Sequence, residues 1–264
     1  MSRLALSDEI LMTVEKPARY IGNEVNSVVK DKDKVDIRFA MCFPDVYEIG
    51  MSHLGIQILY DMFNRFEDTW CERVYSPWTD LDKLMREKNI PLFALESQEP
   101  VKNFDFLGIT LQYEMCYTNI LQILDLAQMP LFACDRDGSF PIVIGGGPCT
   151  YNPEPIAEFF DIFYIGEGET RYRELLDLYK QYKKQGKTKV EFLREASHIP
   201  GMYVPSMYEV TYKEDGTIEA FMPKYEDVPK NVLKEIEMNV SDTYYPMNPV
   251  VPFLKVTLYR VVLE

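Results

Sequence analysis

An α/β fold with a mainly parallel sheet flanked by helices, followed by a small β appendage, is what this sequence predicts, on three observations. From about residue 35 to residue 200, short apolar segments alternate with longer ones whose apolar residues recur at helical spacing. Glycine-bearing turns follow several of the apolar segments, as at Gly145-Gly146-Gly147 and Gly166-Glu167-Gly168-Glu169. Beyond residue 200 the pattern turns to strand-like alternation around Glu214-Asp215-Gly216, which has hairpin-turn chemistry. Strands joined through helices require right-handed crossovers and hence parallel neighbours.

In chain order, residues 1–34 are a polar and mixed lead-in that ends in the charged turn Lys30-Asp31-Lys32-Asp33-Lys34. Val35 to Phe43 reads as a buried strand, and Leu54, Ile58, Leu59, Met62, Phe63 and Phe66 fall on one face of the helix after it. Cys71 to Tyr75 (strand), Asp80 to Lys88 (helix), Pro91 to Leu95 (strand) and Phe106 to Gln112 (strand) follow. Met115 to Gln128 carries Ile120, Leu121, Ile123, Leu124 and Ala127 as the apolar face of a further helix. Pro141 to Ile144 and Asp161 to Ile165 are the next strands, and Tyr172, Leu175, Leu176, Tyr179 and Tyr182 mark the last helix of the α/β region, 35–200. Met202 to Val204, Met207 to Tyr212 and Thr217 to Met222 make a β appendage over 201–225. Residues 226–264 read as an acidic, proline-interrupted linker running into an apolar strand, Val250 to Leu263, that has no partner in the sequence and implies a further domain.

Composition narrows the function. The 264 residues carry a net charge of −14, which disfavours non-specific binding to nucleic acid or anionic membranes. No stretch is long and apolar enough for a membrane span or a signal core, so a cytoplasmic protein is expected. Cys42, Cys71, Cys116, Cys134 and Cys149 are odd in number and lack C-x-x-C spacing, which points to reduced, mostly buried thiols. With His53 and His198 as the only imidazoles, a structural zinc site is not expected.

The candidate site residues cluster at strand ends, where open α/β sheets hold ligands. The turn Phe43-Pro44-Asp45-Val46-Tyr47-Glu48-Ile49-Gly50-Met51-Ser52-His53-Leu54-Gly55 offers backbone N–H groups and glycines to a bulky ligand. Asp45 there equally suits a helix cap. Thr110 and Gln112 end a strand and suit an amide-rich ligand or a satisfied polar strand end. Gly145 to Gly147 suit either a tight turn or a loop pressed on a flat ligand, and Glu167 and Glu169 either a helix dipole or a cofactor contact. No Ser- and Thr-rich phosphate loop follows the first strand, which disfavours a flavin or nucleotide binder, and no nucleophile or ligand set accompanies the two glutamates, which disfavours hydrolysis.

Taken together, these turns resemble the cobalamin-binding fold of methionine synthase and methylmalonyl-CoA mutase, with its D-x-H-x-x-G turn, Ser/Thr-bearing strand end and Gly-Gly pair. Asp45 and Gly50 match the first element, Gly108-Ile109-Thr110-Leu111 the second and Gly145-Gly146-Gly147 the third. Tyr47 stands where that family has the histidine that ligates cobalt, and a phenol is a poor substitute at neutral pH. His53, six residues on, is expected on the helix rather than at the metal. A closer likeness is to the amino-terminal domain of cobalamin-binding radical S-adenosylmethionine proteins. It rests on Gly145-Gly146-Gly147-Pro148, Pro153-Glu154-Pro155, Asp161, Gly166-Glu167-Gly168-Glu169 and the lead-in Glu15 to Glu24, and it extends from about residue 15 to the end.

That resemblance implies a flavodoxin-like, cobalamin-binding-like domain joined to a C-terminal radical SAM barrel. It implies cobalamin, held without a histidine lower ligand, near Asp45, Tyr47, Gly50, Met51, Ser52, Thr110, Gln112, Gly145, Gly146, Gly147, Gly166, Glu167, Gly168 and Glu169. The C-x-x-x-C-x-x-C motif for a [4Fe–4S] cluster is missing, so the cluster and S-adenosylmethionine are expected only in the full-length protein and this chain alone is expected to be inactive. The alternative is a scaffold that has lost cobalamin and binds a substrate or a partner domain.

Overall fold

Local chemistry sets the ends of the main elements in the computed structural model, which describes residues 4–238 and 246–251. After β1 (Ile37–Phe43) and a one-turn helix over Tyr47–Gly50, helix α1 (Leu54–Arg65) starts at His53, whose ring nitrogen accepts the Ile56 N–H. β2 (Thr69–Tyr75), α2 (Thr79–Lys88), β3 (Phe106–Thr110), α3 (Tyr117–Leu126), β4 (Ile142–Gly146) and β5 (Ile162–Tyr164) follow. α4 (Tyr172–Gln185) stops at Gly186, which takes the left-handed conformation at φ +62° that closes helices at low cost. α5 (Lys189–Ala196) opens on a reciprocal capping box between Thr188 and Glu191. The chain then forms β6 (Met202–Tyr203) and the hairpin β7 (Tyr208–Tyr212) and β8 (Ile218–Pro223).

Six strands form one sheet in the order β2-β1-β3-β4-β5-β6, parallel from β2 through β5. The run 2-1-3-4-5 is the flavodoxin-like doubly wound order that the resemblance implied, and its parallel pairing is what the alternation predicted. Phe39 of β1 stacks on Phe63 of α1 and Phe106 of β3 at centroid separations of 4.5 and 5.5 Å, and Tyr172 of α4 meets Phe39 and Phe63 edge-on. α1 and α4 therefore share one face of the sheet. α2 and α3 contact each other, and the α3 residues Ile120, Ile123 and Leu124 are buried.

Several local expectations are corrected. Pro91 to Leu95 forms no strand: Leu92 N–H bonds Leu126, Ala94 bonds Glu99 and Leu95 bonds Arg73, so its donors diverge instead of meeting one ladder. Met202 and Tyr203 belong to the main sheet, antiparallel to β5, rather than to the appendage. The strand read to Gln112 ends at Thr110, and the helix read from Met115 begins at Tyr117 after a single 3-10 turn. Nor is the lead-in merely polar. Leu6, Ile10, Leu11, Val14 and Tyr20 join the core, and the Trp70 indole donates to Val28 O, which ties the lead-in to β2 at the sheet edge. The stretch read as a linker returns to the sheet, where Glu235 pairs with Gly166. Cys134 is exposed, unlike Cys42, Cys71 and Cys116. Most of the strand expected over Val250 to Leu263 lies outside the described residues.

Candidate ligand cleft at the carboxyl rim

In a sheet of this order the sequence of the strands reverses at β1, and the crevice at the carboxyl ends of β1 and β3 is the usual ligand position. Here that crevice is bridged. The Tyr113 hydroxyl donates to Asp45 Oδ2 at 3.1 Å and the Asn119 amide donates to Pro44 O at 2.9 Å. Beside it, on the face carrying α1 and α4, opens a cleft of about 150 Å³. Gly108, Ile144 and Gly146 contribute from the strands, Ile56 and Leu59 from α1, and Tyr164 and Tyr172 from β5 and α4. Its polar members are His53, Thr110, Gln112 and Glu169, with Gly147, Gly166 and Gly168 around them.

Two of the cleft's glycines are demanded by the packing around it. A Cβ on Gly108 would lie 2.5 Å from the Phe39 ring, and one on Gly168 would lie 2.8 Å from Leu59. Gly147 holds φ +109°, where an L residue is strained. Gly146 differs from these, because the nearest atom to an added Cβ is the Tyr172 hydroxyl oxygen at 3.7 Å. Its backbone is thus open to a ligand.

Seven of the sequence-predicted site residues line this cleft: Thr110, Gln112, Gly146, Gly147, Gly166, Gly168 and Glu169. The other seven do not, and each has a different task. Asp45 Oδ1 accepts the Val46 N–H at 2.7 Å, turning the chain out of β1. Tyr47 donates to Glu24 Oε1 at 2.8 Å and packs edge-on against Tyr75, away from the cleft. Gly50 is demanded by packing, since a Cβ there would sit 2.5 Å from the Tyr75 ring. Met51 packs at the edge of the core and its carbonyl accepts from Gln57, while the Ser52 hydroxyl donates to Ile49 O at 2.9 Å. Gly145 is buried between Leu111 and Phe163. Glu167 does not meet the dipole of α4, which starts five residues later at Tyr172; its carboxylate instead accepts the Glu237 N–H.

Beneath Tyr47 lies a buried ion cluster. Arg73 bonds Glu96 through Nε at 2.6 Å and Glu24 through a terminal nitrogen at 2.7 Å. Burial alone would raise the Glu24 carboxyl, but Arg73 and the Tyr47 hydroxyl outweigh it and hold it below its ordinary value. The Tyr47 phenol is pushed up, by burial first and then by Glu24. It is a neutral hydroxyl locked to a carboxylate.

The residue that sequence reasoning misplaced is His53. It caps α1 rather than riding on it, with Nδ1 accepting the Ile56 N–H at 3.3 Å, and its ring tilts against Phe43. Burial lowers its pKa, opposed in part by the neighbouring Gln112 side chain. The signal was available, because the position just before the first apolar residue of a helical pattern is a cap site. Tyr164 is pushed up to about 12, by burial first, so it stays protonated at neutral pH. Among the described residues no group of three His, Cys, Asp or Glu side chains is arranged to hold a metal ion, and no helix is long and apolar enough to cross a membrane. The cleft is an apolar, glycine-lined slot with a short polar edge.

A family model described as radical SAM proteins, N-terminal, matches residues 55–205. The uncharacterized protein MJ0966 of Methanocaldococcus jannaschii is 29% identical over 161 residues, which are 57% of this chain and 30% of that protein, so the chain spans under a third of that relative's length. A solved structure of the radical S-adenosylmethionine methyltransferase TsrM from Kitasatospora setae, with tryptophan substrate and a SAM analog bound, is similar at a TM-score of 0.37 and 15% identity, over 68% of this chain and 29% of that one.

Proposed function

This chain belongs to the family of N-terminal domains of radical SAM proteins, and from that premise we propose that it is the cofactor-presenting part of such a protein, with cobalamin as the cofactor. The observation that carries the reading is the open Gly146 backbone in a cleft at the carboxyl rim that is lined by residues of the second and third elements of the cobalamin-binding pattern, Gly108 with Thr110 and Gly146 with Gly147. A cleft of about 150 Å³ is far too small for a corrin. It suits the bicyclic base of the cofactor's nucleotide arm, with the corrin lying across the rim outside.

In this reading the α/β region, residues 35–200, holds the cofactor, the hairpin is an appendage, and the rest of the chain leads to a C-terminal barrel. Bound cobalamin supplies cobalt-centred chemistry, while the iron–sulfur cluster and S-adenosylmethionine belong to that barrel. This chain's residues bind and orient: Ile56, Leu59 and Tyr172 exclude water from the slot, and Thr110 and Gln112 supply hydrogen bonds. Tyr47, tied to Glu24, provides no ligand to the metal.

A second reading, a scaffold that no longer takes cobalamin, is favoured by the bridge between Asp45 and Tyr113 across the crevice. One experiment separates the two. The chain is mixed with hydroxocobalamin and passed through gel filtration, with absorbance followed at the protein peak. Co-elution of the red chromophore, lost in Gly146→Val, supports the cofactor reading; a colourless protein peak supports the scaffold.

A further inference from the structure

After the hairpin the chain comes back to the carboxyl rim beside the cleft, and polar contacts hold it there. Glu235 N–H donates to Ile165 O at 3.0 Å and Glu167 N–H donates to Glu235 O at 3.1 Å, so residue 235 lies parallel to Gly166 just beyond the end of β5. The Glu235 carboxylate bonds Arg171 Nε at 3.0 Å, and the Glu167 carboxylate accepts the Glu237 N–H. Gly166 makes this seat possible, because at φ +136° a side chain is strained and a Cβ would run into the Glu235 carbonyl oxygen. Apolar burial adds little, since Leu233, Ile236 and Met238 are all exposed. A segment held by a few hydrogen bonds, without buried apolar anchors, opens locally at low cost.

The turn that seats this segment is also a wall of the cleft. Gly166, Gly168 and Glu169 line it, as does Tyr164, whose hydroxyl donates to Glu167 O at 2.9 Å. Glu167 is therefore gripped from two sides, its N–H by the returning segment and its C=O by a cleft residue. The cleft has its present shape with residues 233–237 in place, so a guest that fits it selects the turn conformation that the segment also needs. Whichever binds first meets the ordering cost of the turn, and the second binds to a turn already set.

We propose that residues 233–237 are a releasable strap on the Gly166-Glu167-Gly168-Glu169 turn, and that the docked strap and a flat guest in the cleft stabilise one another. Occupation of the cleft is thereby passed to a segment that does not line it. This rests on the reading of the cleft as a ligand site and adds to it a moving part outside the cleft.

Benzimidazole is the probe, because a bicyclic ring matches the slot and is too small to cover the strap as well. Its binding to the full chain is followed by ligand-observed NMR titration, and amide hydrogen exchange is read residue by residue with and without it. At saturation the Glu235 amide should exchange more slowly by about fivefold or more, the lower end of ordinary coupling between sites, with the Lys213 amide of the hairpin turn unchanged. Coupling is reciprocal. Glu235→Pro removes the strap's N–H donor without replacing a cleft residue, and its release of the strap shows as faster exchange of the Glu167 amide. That variant should bind benzimidazole more weakly by a similar factor, with the melting temperature little changed. Arg171→Met, which loses the ion pair to Glu235 but keeps the backbone pairing, should shift both readouts the same way by less. Bound benzimidazole with unchanged or faster Glu235 exchange, or undiminished binding by Glu235→Pro, overturns the proposal while leaving the cleft a ligand site. If benzimidazole does not bind, the reading of the slot itself fails and the proposal falls with it.

Discussion

The turn after β1 and the turns after β4 and β5 carry the same kinds of residue, glycines beside acidic and polar side chains, yet they do opposite work. In the first turn Gly50 is consumed by the Tyr75 ring, Tyr47 by Glu24 and Asp45 by Val46 and Tyr113. In the later turns Gly146 is open, and Gly147, Gly166 and Gly168 border a cleft. A glycine at a strand end thus marks a close approach, and only the neighbours decide whether the approaching group is the protein's own or a guest.

The largest effect expected to sharpen this contrast lies beneath the first turn. Glu96→Ala would strand the buried Arg73 guanidinium without its fully buried partner, at a cost of about 3–5 kcal/mol in urea denaturation. Tyr47→Phe, which removes one hydrogen bond to Glu24, should cost about 1 kcal/mol. Because Tyr47 lies outside the cleft, that variant should leave hydroxocobalamin uptake as it was. Uptake that fell with Tyr47→Phe at unchanged stability would return the first turn to the site.

Next in size is a matched pair of glycine substitutions. Gly50→Val drives a side chain into the Tyr75 ring and should destabilise by about 1–3 kcal/mol. Gly146→Val has space and sits in a strand, where branched residues are tolerated, so its melting temperature should change little while cofactor uptake is lost. Equal destabilisation by the two would erase the distinction drawn between the turns.

The smallest effect is one of pH. The folded His53 has a lowered pKa, so the unfolded chain binds the proton more readily and stability rises with pH in the window between the two values. The cap is intact above ~6.5, the ordinary imidazole value, and its contribution of about 1 kcal/mol is lost as pH falls through the folded value. In denaturation curves taken across this range His53→Asn should flatten that decline, because an amide oxygen caps at any pH.

Much of the cleft was legible in the chain. Thr110, Gln112, Gly146 and Gly147 stand at the ends of apolar runs, so their place on the carboxyl rim follows from strand direction alone. What misled was local likeness: Tyr47 was read by its position in a motif, although its orientation depends on Glu24, twenty-three residues earlier in the lead-in. The lead-in itself looked polar because its buried residues are too scattered to form a period, and its return to β2 rests on contacts such as the one between Val28 and Trp70.

By itself the sequence determined the alternation of strand and helix, and with it a parallel sheet whose glycine turns share one rim, because side-chain periodicity and right-handed crossovers leave little choice. Tertiary structure alone decided which glycines border a cleft, that His53 caps a helix, and that Met202 and Tyr203 close the sheet. Each of these depends on the distance between groups far apart in the chain, a quantity that hydrophobic pattern and turn chemistry do not encode.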